Sequence, residues 1–290
     1  MSFPLELFPK LNHLDIQGCQ NLHSFSFSNQ GPLQDLSSLR SLQINNCSSF
    51  VSLPEEGLPA PNQTWFRVDN CNNLKALPGQ MHYLLPSLQT LSTHLCPELE
   101  LFPDRGLPSS LNSLEIHSCD KLIVGRMGWG LKGLHSLRSF YISGKCENWE
   151  SFPERRFLPS SLTSLEIWGL KHLKSLNGDE LQHLTALRKL AIGHCQTLQS
   201  MPEKGLPTSL SSLIMKNCPM LKERCLMEKG EDWHRIEHIP LIKIDKEVIS
   251  SNWRSAQNPQ ILILRIISYF LSGIWIGEFF LDLTHLNRFW

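Results

Sequence analysis

The 290-residue sequence has no charge of one sign in excess: Lys plus Arg is 27 and Asp plus Glu is 27. A net charge of zero removes the general electrostatic reason to bind nucleic acid or an anionic membrane, and no nucleic-acid partner is expected. Zinc-type cysteine spacing is also missing. Nine cysteines occur, an odd number, with no CxxC pair. A secreted disulfide framework is usually shorter and even-numbered. The opening residues, MSFPLELFPKLNHLDI, lack the charged n-region and apolar h-region of a signal peptide. The sequons Asn46-Cys47-Ser48 and Asn62-Gln63-Thr64 then read as chance matches, and a reducing, cytoplasmic location is the expectation. No GxxxxGK(S/T) loop, GxSxG elbow, catalytic carboxylate pair or Cys–His dyad is identifiable. The reading is of a non-enzyme without a cofactor or metal.

What is present is a repeat. GLPSSLNSLEIHSC at 106–119 returns as LPSSLTSLEIWGL at 158–170 and LPTSLSSLIMKNC at 206–218. Aligned on LxxLxIxxC, good copies begin at Leu11, Leu39, Leu111, Leu187 and Leu210, and worn copies at Gln63, Leu88, Leu137 and Leu162. Successive starts lie 23 to 28 residues apart, almost wholly within the leucine-rich-repeat range. In LNSLEIHSC, Leu114 and Ile116 are two apart and share one face of a short strand. The last position turns the chain inward, where a small side chain fits. Cys19, Cys47, Cys71, Cys96, Cys119, Cys195 and Cys218 occupy that slot, Cys146 falls one residue late, and Leu170 replaces the cysteine in its copy. The cysteines are therefore expected as a buried column of thiols.

The connections alternate between two kinds. Pro-rich boxes at 53–61, 102–110, 152–161 and 201–209 take turns with helix-compatible text at 33–39, 79–88, 128–137 and 178–187. The repeating unit is thus a dyad of roughly fifty residues. Pro lacks the N–H and fixes φ, so its coils should cross the outer face as turns. The predicted fold is α/β: a leucine-rich-repeat solenoid, or horseshoe, with a parallel concave sheet. Its convex side alternates short helices with Pro-type turns. About nine coils fill residues 1–222, a C-terminal cap follows at 223–249, and an apolar tail occupies 250–290.

The LPSSL-x-SLEI strings, the FPE-x-GLP boxes and the closing CPMLKERCLMEKGEDWHRIEHIPLIKID at 218–245 resemble a known family. They are similar to the C-terminal half of plant intracellular nucleotide-binding leucine-rich-repeat disease-resistance proteins, of the coiled-coil class. The resemblance covers about residues 1–249. It implies a recognition module for a protein ligand, either a pathogen effector or a host protein altered by one. It also implies contact with a nucleotide-binding domain in a longer chain. A stand-alone repeat protein acting as adaptor or decoy is the alternative within the same class.

Binding is expected on the concave sheet, at positions between the core residues. Most of these are polar. Trp65, Tyr141 and Trp168 stand out, because large aromatics and Arg anchor protein interfaces. The candidate patch comprises Trp65, Arg67, His94, Glu115, His117, Tyr141, Glu166, Trp168 and Lys189. A lone aromatic that merely packs on its neighbour is the plain alternative.

Three features invite other readings. Gly128 to Gly133 spells GxGxxG but sits in a linker slot, without the strand and helix that a dinucleotide site needs. His234-Arg235-Ile236-Glu237-His238 spells HxxEH, which would suit a metal-dependent hydrolase, yet Ile239-Pro240 follows and no third ligand is evident. Residues 261–281 are strongly apolar and approach the roughly 20 residues of a membrane span. Arg265 and Glu278 interrupt the stretch, so membrane association through it is left open.

Overall fold

A computed structural model describes residues 1–26, 35–54, 56–103, 106–147 and 149–250. Residues 1–249 form one compact unit. The apolar stretch 261–281 lies outside the described residues, as do Asp104 and Arg105 of one Pro box.

Each LxxLxI copy forms one five-residue strand. These are β1 (His13–Gln17), β2 (Ser41–Asn45), β3 (Trp65–Asp69), β4 (Thr90–His94) and β5 (Ser113–His117). They continue as β6 (Ser139–Ser143), β7 (Ser164–Trp168), β8 (Lys189–Gly193) and β9 (Ser212–Lys216). The cap adds β10 (Leu241–Ile244) and β11 (Glu247–Ser250), giving an 11-stranded sheet in chain order. Pairing from β1 through β10 is parallel, and equivalent residues of successive coils face one another without a slip.

The alternation along each strand explains the core. Leu114 and Ile116 of β5 are fully buried, as are Leu42 and Ile44 of β2. Burying one such side chain is worth about 1.5–3 kcal/mol, and the apolar ladder repeats in nearly every coil. Coils touch only their neighbours, so stability is a sum over adjacent pairs.

After most strands the chain bends through one left-handed residue, Gly144 after β6 being an exception. Asn46, Asn70, Leu95, Ser118, His194 and Asn217 all have φ between 49° and 55°. Their N–H groups extend the ladder: Asn46 donates to the Asp69 carbonyl at 2.9 Å, and Leu95 to that of His117 at 2.8 Å. The bend turns the next residue, usually Cys, into the coil. Cys47, Cys71, Cys96, Cys119, Cys195 and Cys218 are buried, with Leu170 in the same slot. Each thiol donates back to the carbonyl two residues earlier, at 3.2 Å for Cys96 and 3.5 Å for Cys71. Cys19 departs from the expected column. It is exposed, because its coil carries β1 at the end of the sheet and is covered from one side only.

The convex side follows the two-class pattern with differences. The Pro boxes are turns: Gly57, Gly106 and Gly205 donate N–H to the carbonyls of Pro54, Pro103 and Pro202 at 2.8–3.0 Å. Gly57 has φ +100°, and a Cβ there would meet Leu84 and the Gly79 carbonyl below 3 Å, so this turn requires glycine. The helix-compatible linkers give α1 (Met81–Leu84) and α3 (Gly178–Gln182). Asn177 caps α3 by accepting the Glu180 N–H at 3.3 Å. In 128–137, however, only a 3-10 turn at Leu131–Gly133 forms, next to another at Arg126–Gly128. Four glycines between 125 and 133 lower helix propensity there. Among residues 35–39 the chain is a turn rather than a helix. One helix was not anticipated: α2 (Asp120–Val124), directly after Cys119.

Between β9 and β10 lie α4 (Pro219–Arg224), which begins before the expected cap at 223–249, and α5 (Trp233–Ile236), which falls within it. Asp232 is wholly buried between them. It accepts hydrogen bonds from Arg224, from Arg235 and from the Met201 N–H of the preceding coil.

Candidate protein-binding face

The sheet register decides which side chains of the concave face meet. Its middle row runs Arg67, Ser92, Glu115, Tyr141, Glu166, Ala191. The row beside it runs Asp69, His94, His117, Ser143, Trp168, Gly193. Successive strands lie about 4.8 Å apart, so neighbours within a row are in reach of one another.

They form two bonded groups lying side by side in one strip, the first from Arg67 to Tyr141 and the second of Glu166, Trp168 and Lys189. Arg67 Nη2 donates to Asp69 Oδ2 at 2.7 Å and lies 3.2 Å from His94 Nδ1. Ser92 Oγ lies 3.0 Å from His94 Nε2 and donates to Glu115 Oε2 at 3.0 Å. A hydroxyl has one proton. Given to Glu115, it leaves the serine oxygen to accept from His94 Nε2, with Nδ1 then accepting from Arg67. The strip continues through the ring contact of His94 with His117 at 5.5 Å and the stacking of His117 on Tyr141 at 6.1 Å. Ser143 Oγ lies 2.7 Å from His117 Nδ1. Beyond Tyr141, Glu166 accepts from Lys189 Nζ at 2.6 Å and from Trp168 Nε1 at 3.4 Å.

Burial tunes these groups. The His94 imidazole beside Glu115 and the Ser92 hydroxyl hold its carboxyl below the usual range, against the opposing effect of burial. Burial, with the neighbouring His94, holds the His117 imidazole below its ordinary value. Burial pushes the Tyr141 phenol up, aided by the charges of Glu166 and Glu115. His94, Glu115, His117, Ser139, Tyr141 and Glu166 line an open concavity of about 390 Å³.

All nine expected patch residues are half-buried on this face. Arg67 through Lys189 join the strip. Trp65 stands apart from it, at the start of β3 between Ser41 and Thr90. Trp168 leans over its neighbour: the indole covers Gly193, where a Cβ would come within 2.1 Å of the ring, and it meets His194 at 6.0 Å. Its packing therefore fits both an anchor and a plain cover for the sheet. Sequence reasoning left Asp69, Ser92 and Ser143 out of the patch. Ser92 and Ser143, expected to face solvent, are buried because longer side chains on adjacent strands close over them. The only signal for them was the row position, two residues from a chosen partner.

His234, Glu237 and His238 are exposed around the single turn of α5, and among the described residues no three His, Cys, Asp or Glu side chains are placed to hold a metal. Gly128–Gly133 lies in 3-10 turns, with no strand leading into a helix. Among the described residues no helix is long and apolar enough to cross a membrane.

Parallel strands in unbroken register, one per coil, with Leu and Cys at fixed places, define a leucine-rich-repeat solenoid. No protein-family model matches the chain. In sequence the chain is a relative of plant disease resistance proteins. It is 38% identical over 250 residues to one protein of Arabidopsis thaliana named for disease resistance, a match covering 86% of this chain and 17% of the relative. It is 26% identical to the Arabidopsis disease resistance protein RPP4 over 69% of this chain and 17% of that protein. It is 32% identical to an Arabidopsis RPP13-like disease resistance protein over 74% of this chain and 19% of that one. The chain thus spans less than a fifth of the length of these relatives. Among solved structures, an internalin of Listeria monocytogenes superposes with a TM-score of 0.37 at 14% identity, over 83% of this chain and 76% of that one.

Proposed function

We propose that the concave strip from Arg67 to Lys189 is the recognition surface of a plant innate-immune receptor. Its ligand would be a pathogen effector or a host protein altered by one. In a longer chain the same solenoid would contact a nucleotide-binding domain and restrain its switch. The observation that carries the reading is the strip itself: charged and aromatic side chains, half-buried and held by one another, on the face where a core would place none. Such pre-held groups lose little freedom on binding. The kinship with disease resistance proteins supplies the biological setting.

The test measures the chain against a panel of secreted pathogen proteins and their host targets. Tyr141→Ala and Trp168→Ala should each weaken the bound partner by at least tenfold, as central aromatic anchors do. Both variants should remain folded with only a modest loss of unfolding midpoint, and binding by the convex variant Lys204→Ala should be unchanged. Binding that survives both aromatic changes but fails on convex substitutions would place recognition elsewhere.

A further inference from the structure

The proposal concerns the concavity over β4 to β7 and rests on the concave face being a recognition surface. Glu115 and Glu166 line it from strands two apart, so their backbones are separated by about 10 Å. Tyr141 lies between them in the same row and lines the concavity with them. Neither Lys nor Arg lines the concavity. Burial keeps the His117 ring below its ordinary proton affinity, so at neutral pH it adds little positive charge.

The strands β1 to β7 share this polarity, whereas β8 to β10 reverse it. Among concave positions, Asp15, Asp69, Glu115 and Glu166 on β1 to β7 are opposed by Arg67 alone. Lys189, Lys216 and Lys243 then follow on β8 to β10. A ligand that suits this face presents positive charge over β4 to β7.

We infer that the concavity receives an arginine side chain of the protein ligand, with the guanidinium laid on the Tyr141 ring between the carboxylates of Glu115 and Glu166. A planar guanidinium stacks on an aromatic face and offers donors to carboxylates on both sides, which an ammonium does less well. Glu166 is the shared member. Lys189 and Trp168 already hold its two oxygens, so an incoming arginine competes with Lys189 for the carboxylate. The competition makes a prediction of unusual sign: removing the Lys189 charge improves binding.

The experiment titrates the full chain, labelled with nitrogen-15, with N-acetyl-arginine methylamide. N-acetyl-norleucine methylamide serves as the uncharged control. The expected result is saturable movement of amides in 113–117, 139–143 and 164–168 by the arginine probe, with little from norleucine. Glu115→Gln and Glu166→Gln should each weaken the arginine probe by at least threefold. Lys189→Met should tighten it by a similar factor, a gain that a damaged fold would not produce. Equal movement by both probes, movement elsewhere, or an affinity unaltered by Glu166→Gln and Lys189→Met would overturn the proposal. The concave-recognition reading is judged separately, by partner binding to Tyr141→Ala and Trp168→Ala, so either can fail alone.

Discussion

Replacing Asp232 with alanine should loosen the C-terminal cap and leave the distant coils intact. The carboxylate is wholly buried and answers two guanidiniums and one backbone N–H. Arg224 donates at 3.0 and 3.1 Å, Arg235 at 2.7 Å and Met201 N–H at 2.8 Å. Removing one partner of a buried ion pair costs about 3–5 kcal/mol, chiefly because the remaining charges lose their counter-ion. Here Arg224 and Arg235 keep some solvent, so the lower end, about 3 kcal/mol, applies. Solenoid stability is a nearest-neighbour sum, so the loss should stay local. Native-state hydrogen exchange should show amides in 219–244 losing about a hundredfold in protection, with β2 to β5 unchanged. A uniform loss over the whole chain, or less than tenfold in the cap, would refute the reasoning. The acid limb follows the same carboxylate. Burial would raise the Asp232 pKa, but the bonds from Arg224 and Met201 and the charge of Arg235 outweigh it and hold the pKa below its ordinary 3.8. Its contribution is therefore complete above pH 3.8 and lost as pH falls through the lower folded value.

Leu95 adopts φ 49° with its side chain exposed, where sister coils use Asn, Ser, His or Gly. Leu95→Asn should raise stability by about 1 kcal/mol, and an unchanged urea midpoint would show that the bend is unstrained. A thiol reagent at neutral pH should modify Cys19 rapidly and the eight buried cysteines only on unfolding. Burial pushes Cys71 up to about 11 and Cys225 up to about 12, which further slows their reaction. Fast modification of several thiols would contradict the packed column. Acidification should cost stability in two stages. His117, with its folded pKa lowered, begins to oppose folding as pH drops below its ordinary 6.5. The lowered carboxylates of Glu115 and Asp245 follow below their ordinary 4.5 and 3.8. In Glu115→Gln the lower stage of the urea-midpoint profile should shrink.

Much of the fold was legible because one spacing recurs. LxxLxI fixed nine strands to the residue, since a one-residue slip would turn Leu114 and Ile116 outward. The Pro boxes announced turns because proline constrains the backbone wherever it sits. The exposure of Cys19 was hidden, because the slot pattern does not say which coil lies at the end of the sheet. The helix after Cys119 and the cap strands β10 and β11 were hidden as well, falling outside the repeat. The concave residues could be named from alternation, but not their bonds. That Ser92 joins His94 to Glu115, or that Lys189 holds Glu166, depends on register between residues 23 apart on neighbouring coils. A single repeat contains no record of which side chain its neighbour presents.

The measurement that bears most directly on the concave-recognition claim is hydrogen exchange of the full chain with its protein partner bound. Protection concentrated on β3 to β8, the strands carrying Arg67 through Lys189, is the predicted footprint. Protection confined to the convex turns at 53–61, 152–161 and 201–209, with those strands unchanged, would contradict it.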